Sequence, residues 1–290
     1  MKKLFLTVAT LAALGTPGHA ADMAVKAPPP AASPAYSWTG FYVGGNVGYG
    51  WQDPTVTFTP NDVNANSSTC TGAAFGGICP PAAAFNIAGA LGGLQGGYNL
   101  QINQNWLLGI ETDFDWSRIR GAGASNFAFT FFLGPPGVPA NFQASQNVDW
   151  FGTVRGRLGF LPSNNLLIYT TGGFAYGLVK ENVALNTLTG LSTATGGFSF
   201  NCLTGSSGCF IGSSSRIDTG WTLGAGGEYA LWNNTSVRLE YLYVNLGRGD
   251  AVNVVAQATQ FGPATTPSSF TATYSTLNFH VVRAGLNWRF

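Results

Sequence analysis

Residues 106–117 read WLLGIETDFDWS. Trp106, Leu108, Ile110, Phe114 and Trp116 fall on even numbers, and Glu111, Asp113 and Asp115 on odd ones. A strand turns successive side chains to opposite faces, so the two sets part cleanly. One face is uncharged and apolar but for Thr112, and the other is triply acidic. Such a strand needs two different surroundings, one on each side.

The pattern recurs along the chain. Eight segments alternate or nearly so: 39–51, 86–99, 106–117, 147–160, 166–179, 216–230, 236–247 and 276–290. Asp149, Arg155 and Arg157 share a face in the fourth, and Arg216, Asp218 and Glu228 share one in the sixth. Arg238 and Glu240 do so in the seventh, and Arg283 and Arg289 in the eighth. The opposite faces hold no charge; that of 147–160 holds Val148, Trp150, Val154, Leu158 and Phe160. A charge facing lipid at mid-membrane costs about 2–4 kcal/mol. The clean faces are therefore expected to meet lipid and the charged faces a lumen. Eight strands leave an interior that side chains nearly fill. The inward charges are expected to pair there, because a lone buried charge is costly.

Composition points the same way. Only 9% of the 290 residues are charged, against roughly 25% in an average soluble protein. Glycine is abundant at 40 residues and aromatics make up 13%. After residue 20 no apolar run is long enough for a transmembrane helix. A soluble β-sandwich is the alternative, but its surface would carry more charge. The connections decide between them. LQINQN, LPSNN and LWNNT, after the second, fourth and sixth segments, are short and rich in turn residues. Those after the first, third, fifth and seventh are long. Short turns at one end and long loops at the other mark an outer-membrane barrel. All eight tryptophans, at 38, 51, 106, 116, 150, 221, 232 and 288, lie at or beside segment ends, as interfacial aromatics do.

The chain opens with a secretory signal at 1–20: Lys2 and Lys3, an apolar stretch, then GHA before Ala21. Without it 11 basic residues face 12 acidic ones, which is no footprint for nucleic acid. Residues 21–37 are rich in Pro and Ala and are expected to form an extended periplasmic linker. The barrel is expected to occupy 38–290. SNFAFTFFLG at 125–134 and VNVVAQATQF at 252–261 read as hairpin extensions above the membrane or a surface patch. A ten-stranded barrel is the alternative.

WTGFYVGGNVGYGW at 38–51, GGLQGGYNLQ at 92–101, LGIETDF at 108–114 and GTVRGRLGF at 152–160 resemble the alphaproteobacterial 25/31-kDa outer-membrane protein family. So do YTTGGFAYG at 169–177, GWTLGAGGEYAL at 220–231, LEYLYVNLG at 239–247 and the closing RAGLNWRF. These proteins are often filed as opacity-like or porin-family barrels. The resemblance implies an all-β, eight-stranded, antiparallel up-and-down transmembrane barrel in the cell outer membrane. It implies support of the envelope, loops displayed as surface antigens, and no catalytic residues. Some members are associated with haem, others with porin-like behaviour. In the family the terminal aromatic strand is what the barrel-assembly machinery recognises, which makes Trp288 and Phe290 the expected assembly signal. Lipid and lipopolysaccharide are the other expected partners.

Cys70 and Cys79 lie in the first long loop, Cys202 and Cys209 in the third. The envelope is oxidising, and two local disulfides are the simplest of three pairings. The spacings do not suit zinc. His280 falls on the lipid face of the last segment and reads as an interfacial residue; an axial haem ligand or a catalytic base are the alternatives. The runs GALGGLQGG and GAGGEY open no helix, so they are not phosphate loops. No motif calls for a cofactor. The expected protein is a non-enzymatic barrel with a charge-plugged lumen. The alternatives are small-solute passage, haem binding and an envelope lipid enzyme.

Overall fold

In the computed structural model the described residues are 36–61, 82–129, 138–187, 191–195, 198–202, 210–232, 234–256 and 269–290. The expected signal at 1–20, the expected linker up to residue 35, Cys70, Cys79 and Cys209 lie outside them. Of Cys202 only the backbone is described.

Every regular element among these residues is a strand: β1 Gly40–Gln52, β2 Thr55–Pro60, β3 Ala83–Ala84, β4 Ile87–Gln101, β5 Trp106–Phe129, β6 Val138–Ser163 and β7 Leu166–Thr187. Then come β8 Leu191–Thr195, β9 Phe198–Cys202, β10 Phe210–Trp232, β11 Thr235–Asn245, β12 Ala251–Ala256, β13 Ser269–Tyr274 and β14 Asn278–Arg289. Strands β1, β4, β5, β6, β7, β10, β11 and β14 pair antiparallel in that order. β14 then pairs with β1 from Tyr42↔Arg289 to Trp51↔His280, which closes the ring. The last residue is tied in as well: the Phe290 N–H donates to the Phe41 carbonyl at 3.0 Å.

The sequence explains the two ends. β4 and β5, β6 and β7, and β10 and β11 are joined by turns of a few residues. In the first, the Asn103 Oδ1 accepts from the backbone N–H groups of Asn105 and Trp106, both at 2.9 Å. This side-chain turn is why asparagine recurs there. Between the aromatic rims the outward side chains are apolar but for Thr112, whose hydroxyl donates to the Thr153 carbonyl at 3.1 Å, from Trp106 to Trp116 on β5 and from Phe160 to Trp150 on β6. Ten residues at ~3.3 Å each, tilted by ~40°, span about 25 Å, the height of a lipid-facing band.

β5, β6, β7 and β10 continue beyond the upper rim. Residues 125–129 extend β5, and 251–256 form β12, which lies outside the ring. β12, β13, β2 and β3 continue the sheet from the top of β10. Phe58 and Phe270 pack on Phe142 of β6, with ring centroids 3.8 and 6.1 Å away. The Tyr274 hydroxyl lies 3.0 Å from the carbonyl oxygens of both Ser145 and Asn182. Below them one apolar cluster fills the upper lumen, with Ile119, Phe151, Val179, Leu242 and Phe279 at its base.

The structure departs from the sequence expectation at β6 and at Trp38. The pleat of β6 is broken by a register shift between Val148 and Trp150, opposite a shift between Trp116 and Ile119 on β5. A bulge of this kind inserts a residue and reverses parity beyond it. Val148, expected on the lipid face, is buried inside at 1% exposure. Asp149, expected in the lumen, lies outside and pairs with Lys180 at 2.6 Å. Trp38 is also not a rim residue. It is 1% exposed, and its indole N–H donates to the Asn164 carbonyl at 2.9 Å. It precedes β1, so the chain can fold it under the barrel, where it packs with Tyr36, Leu107, Leu161 and Leu167.

Candidate functional site

The lumen between the apolar cluster and Trp38 is filled by charge. Odd residues of β5 turn Glu111, Asp113 and Asp115 inward, and odd residues of β6 beyond the bulge turn Arg155 and Arg157 inward. β10 adds Glu228, β11 adds Arg238 and Glu240, and β14 adds Arg283 and Arg289. None of these ten side chains is more than 4% exposed.

The contacts cross the lumen. Glu111 accepts from Arg155, from Arg238 at 2.6 Å and from the Tyr42 hydroxyl at 2.5 Å. β5 and β11 are diametrically opposed in the ring, so the Arg238–Glu111 pair bridges its full width. Asp113 accepts from Arg155 at 2.8 Å, Arg283 at 2.7 Å and the Thr153 hydroxyl at 2.9 Å. Arg283 also holds Asp115 at 2.7 Å and Glu240 at 2.8 Å. Glu240 receives Arg155 at 2.9 Å and Arg238 at 3.1 Å. Glu228 forms a second group lower down, with Arg157 at 2.5 Å, Ser236 at 2.5 Å and Asn287 at 3.0 Å. The Arg157 guanidinium lies over the Tyr169 ring, 3.6 Å from its centroid.

Glycine makes the space. A Cβ on Gly48 would stand 2.7 Å from the Arg283 Cβ, and one on Gly97 would stand 2.6 Å from the Tyr42 hydroxyl oxygen. Separations under 3 Å are not tolerated without displacement of the neighbour. The inward glycines of β1 and β4 therefore leave room for the long side chains paired with them on the neighbouring strands.

Arg289 stands apart from the carboxylates. Its guanidinium lies 4.8 Å from the Tyr36 ring and 5.0 Å from the Trp38 ring, and it donates to the Ser37 carbonyl. Tyr36 and Ser37, read from sequence as the end of the linker, thus pack into the base of the barrel. Arg216 and Asp218 face inward at the opposite end, above the upper rim, where they pair at 2.6 Å. Arg216 also pairs with Asp250. Nearby, Glu181 is 2% exposed and accepts from Gln146 at 2.7 Å. Burial is the largest cause that pushes its carboxyl up to about 7, with Asp250 adding to the rise and Gln146 and Arg216 opposing it.

His280 lies on the outer surface. Its Nδ1 is 2.7 Å from the Tyr241 hydroxyl, and its ring stacks on Trp51 at 5.7 Å. Trp288 is exposed on the lipid side at the base of β14 and Phe290 beyond it, at 54% and 76%. The uncharged members of the lumen network, Tyr42, Gln95, Thr153, Ser236 and Asn287, were not singled out from sequence. The same alternation points to them once polar residues are counted along with charged ones.

Comparison with known proteins agrees with this architecture. Residues 8–290 match the family model described as outer membrane protein β-barrel domain. The chain is 35% identical over 300 residues to the 31 kDa outer-membrane immunogenic protein of Brucella melitensis, covering 100% of both chains. It is 27% identical over 256 residues to the 25 kDa outer-membrane immunogenic protein of Brucella abortus, covering 85% of each. It is 28% identical over 214 residues to the 22 kDa outer membrane protein of Rhizobium leguminosarum, covering 73% of this chain and 66% of that protein. The chain is an outer-membrane protein and belongs to this β-barrel family of outer-membrane immunogenic proteins.

Proposed function

We propose that the protein is a sealed barrel that reinforces the outer membrane and presents its tall extracellular wall at the cell surface, with no transport role. The observation that carries this reading is the Arg238–Glu111 contact at 2.6 Å between opposed strands. Around it the paired side chains of Arg155, Arg238, Arg283, Glu111, Asp113 and Glu240 are 0% exposed. Passage of a hydrated ion would require opening that network, and breaking one buried pair costs about 3–5 kcal/mol. The apolar cluster above and Trp38 below add two further seals. Neither a sealing network nor an apolar plug is useful to a pore. Both suit a stave-like element whose worth lies in its stiffness and its outer surfaces.

Planar-bilayer recording tests the reading. Purified protein should insert without unitary conductance. Steady, reproducible channels that vanish on boiling would overturn the sealed barrel in favour of small-solute passage.

A further inference from the structure

The outer surface of the ring is nearly free of charge, and the exceptions gather in one place. Among the described residues, the outward face of the eight ring strands carries four charged side chains: Arg118 and Arg120 on β5, Asp149 on β6 and Lys180 on β7. These strands are neighbours. Arg120 is in register with Asn147, and Asn147 with Lys180. Two strand spacings of ~4.8 Å put Arg120 and Lys180 about 10 Å apart, and Arg118 lies about 7 Å along β5 from Arg120. Arg118 and Arg120 are exposed, and neither forms an ion pair among the described residues. Lys180 is held by Asp149 at 2.6 Å, with both side chains about two-fifths exposed (44% and 39%). The patch therefore carries three cations against one carboxylate.

Its height matters. Trp116 and Trp150 are in register immediately below, with Phe114 stacked on Trp150 at 5.3 Å. These aromatics end the lipid-facing band, so the cations begin one outward step above it. That is the depth of the phosphates of outer-leaflet lipid. Above the patch the same wall changes character. For the next several registers its outward side chains on β5, β6 and β7 are small or neutral and polar, with Asn126, Gln143, Ser145 and Asn182 among them. This stretch runs along β5 from residue 118 to 126, about 20 Å of height at the usual strand rise and tilt. Neutral amides and hydroxyls are partners for sugar hydroxyls. Guanidinium and ammonium groups are partners for phosphate.

We propose that the outer face of β5, β6 and β7 is a binding site for a phosphorylated glycolipid of the outer leaflet. Arg118, Arg120 and Lys180 take the phosphates, Trp116 and Trp150 flank the acyl region, and the polar wall above lies along the sugar chain. The inference rests on the membrane orientation of the barrel and is independent of whether its lumen conducts. Asp149 competes with the phosphate for Lys180, which limits affinity and preserves selectivity for a doubly charged headgroup.

The test uses the full mature protein in detergent micelles, with bound lipid counted by native mass spectrometry. Three probes are compared: bisphosphorylated lipid A, lipid A with both phosphates removed, and phosphatidylglycerol. The wild type should retain bisphosphorylated lipid A and release the other two. Arg118→Gln/Arg120→Gln/Lys180→Gln should weaken that retention about tenfold, as charge-assisted contacts are lost. Asp149→Asn frees Lys180 and should tighten it several-fold. The variants lie outside the ion network, and an unchanged shift between cold and boiled gel bands checks their folding. Equal binding of dephosphorylated lipid A, a triple variant within twofold of wild type, or no gain from Asp149→Asn would overturn the site. Equal binding of phosphatidylglycerol would reject the glycolipid and leave only a general anionic patch. A conducting lumen would refute the sealed barrel without altering any of these results.

Discussion

Replacing Arg283 with methionine tests whether the lumen network holds the barrel together. Methionine keeps most of the length of the side chain, so cavity formation is a small part of the change. The charge is the large part. Arg283 is 1% exposed and holds Asp113 at 2.7 Å, Asp115 at 2.7 Å and Glu240 at 2.8 Å. Asp113 and Glu240 keep Arg155, and Glu240 also keeps Arg238. Asp115 has no other ion-pair partner among the described residues. Removing one partner of a buried pair costs about 3–5 kcal/mol, because the other charge stays behind in a poor solvent. In a chain of this size about 1 kcal/mol moves the thermal midpoint by ~2–4 °C, so the loss amounts to roughly 6–20 °C. The temperature at which the compact gel band converts to the unfolded one reads this directly, and urea titration followed by tryptophan fluorescence reads it independently. Asp115→Asn in the Arg283→Met background removes the orphaned charge and should recover a large share of the stability. The reasoning is refuted if Arg283→Met melts within about 1 kcal/mol of wild type, or if the double variant is no more stable than the single one.

Two further outcomes follow from the ends of the barrel. Glu181 lies above the membrane band with its carboxyl raised to about 7 from 4.5, so the folded state binds its proton more tightly than the unfolded chain does. Its contribution to stability is therefore fully present below about pH 4.5 and is lost as pH rises through 7. Thermal melts of wild type and Glu181→Gln should diverge across that window, with the wild type losing more stability than the glutamine variant; parallel curves would show that Glu181 does not titrate there. At the other end, deletion of Phe290 removes the N–H donor to Phe41 and the last exposed ring of β14. Assembly in cells should fall sharply while refolding from urea into detergent is largely kept; normal assembly in cells would strip the terminal ring of any role as a signal.

The ring strands could be read from sequence because lipid on one side and charge on the other enforce the alternation. Where either condition lapses, the reading weakens. β5 and β6 run on to Phe129 and from Val138. Above the rim, however, the outward residues are small or polar, and the apolar marker of a lipid face is gone. Asp149 failed for a different reason. Parity counting assumes an unbroken pleat, and nothing in QNVDWFG announces a bulge that pairs two residues of β5 against one of β6. Trp38 failed because a ring suited to an interface is equally suited to a dry pocket with one carbonyl in it. For the ion network, parity indicates which residues share the lumen but not which partners meet. Arg238 finds Glu111, 127 positions away, only because closure sets β11 opposite β5.

Closure also decides the charge balance. With Asp149 outside, the central lumen holds five carboxylates, Glu111, Asp113, Asp115, Glu228 and Glu240, and five arginines, Arg155, Arg157, Arg238, Arg283 and Arg289. β1 and β4 contribute no inward charge, only neutral partners such as Tyr42, Asn46 and Gln95. Before β14 is in place, five carboxylates therefore face three arginines. The last strand supplies the missing two, Arg283 at the centre of the network and Arg289 at its base. A ring closed by β11 directly on β1 would enclose an excess of two negative charges, at several kcal/mol for each unpaired ion. Pairing β14 with β1 neutralises the lumen in the same step that removes the sheet edge. The closed eight-stranded state is thus favoured over any ring lacking its final stave, and the strand that ends the chain also completes the network.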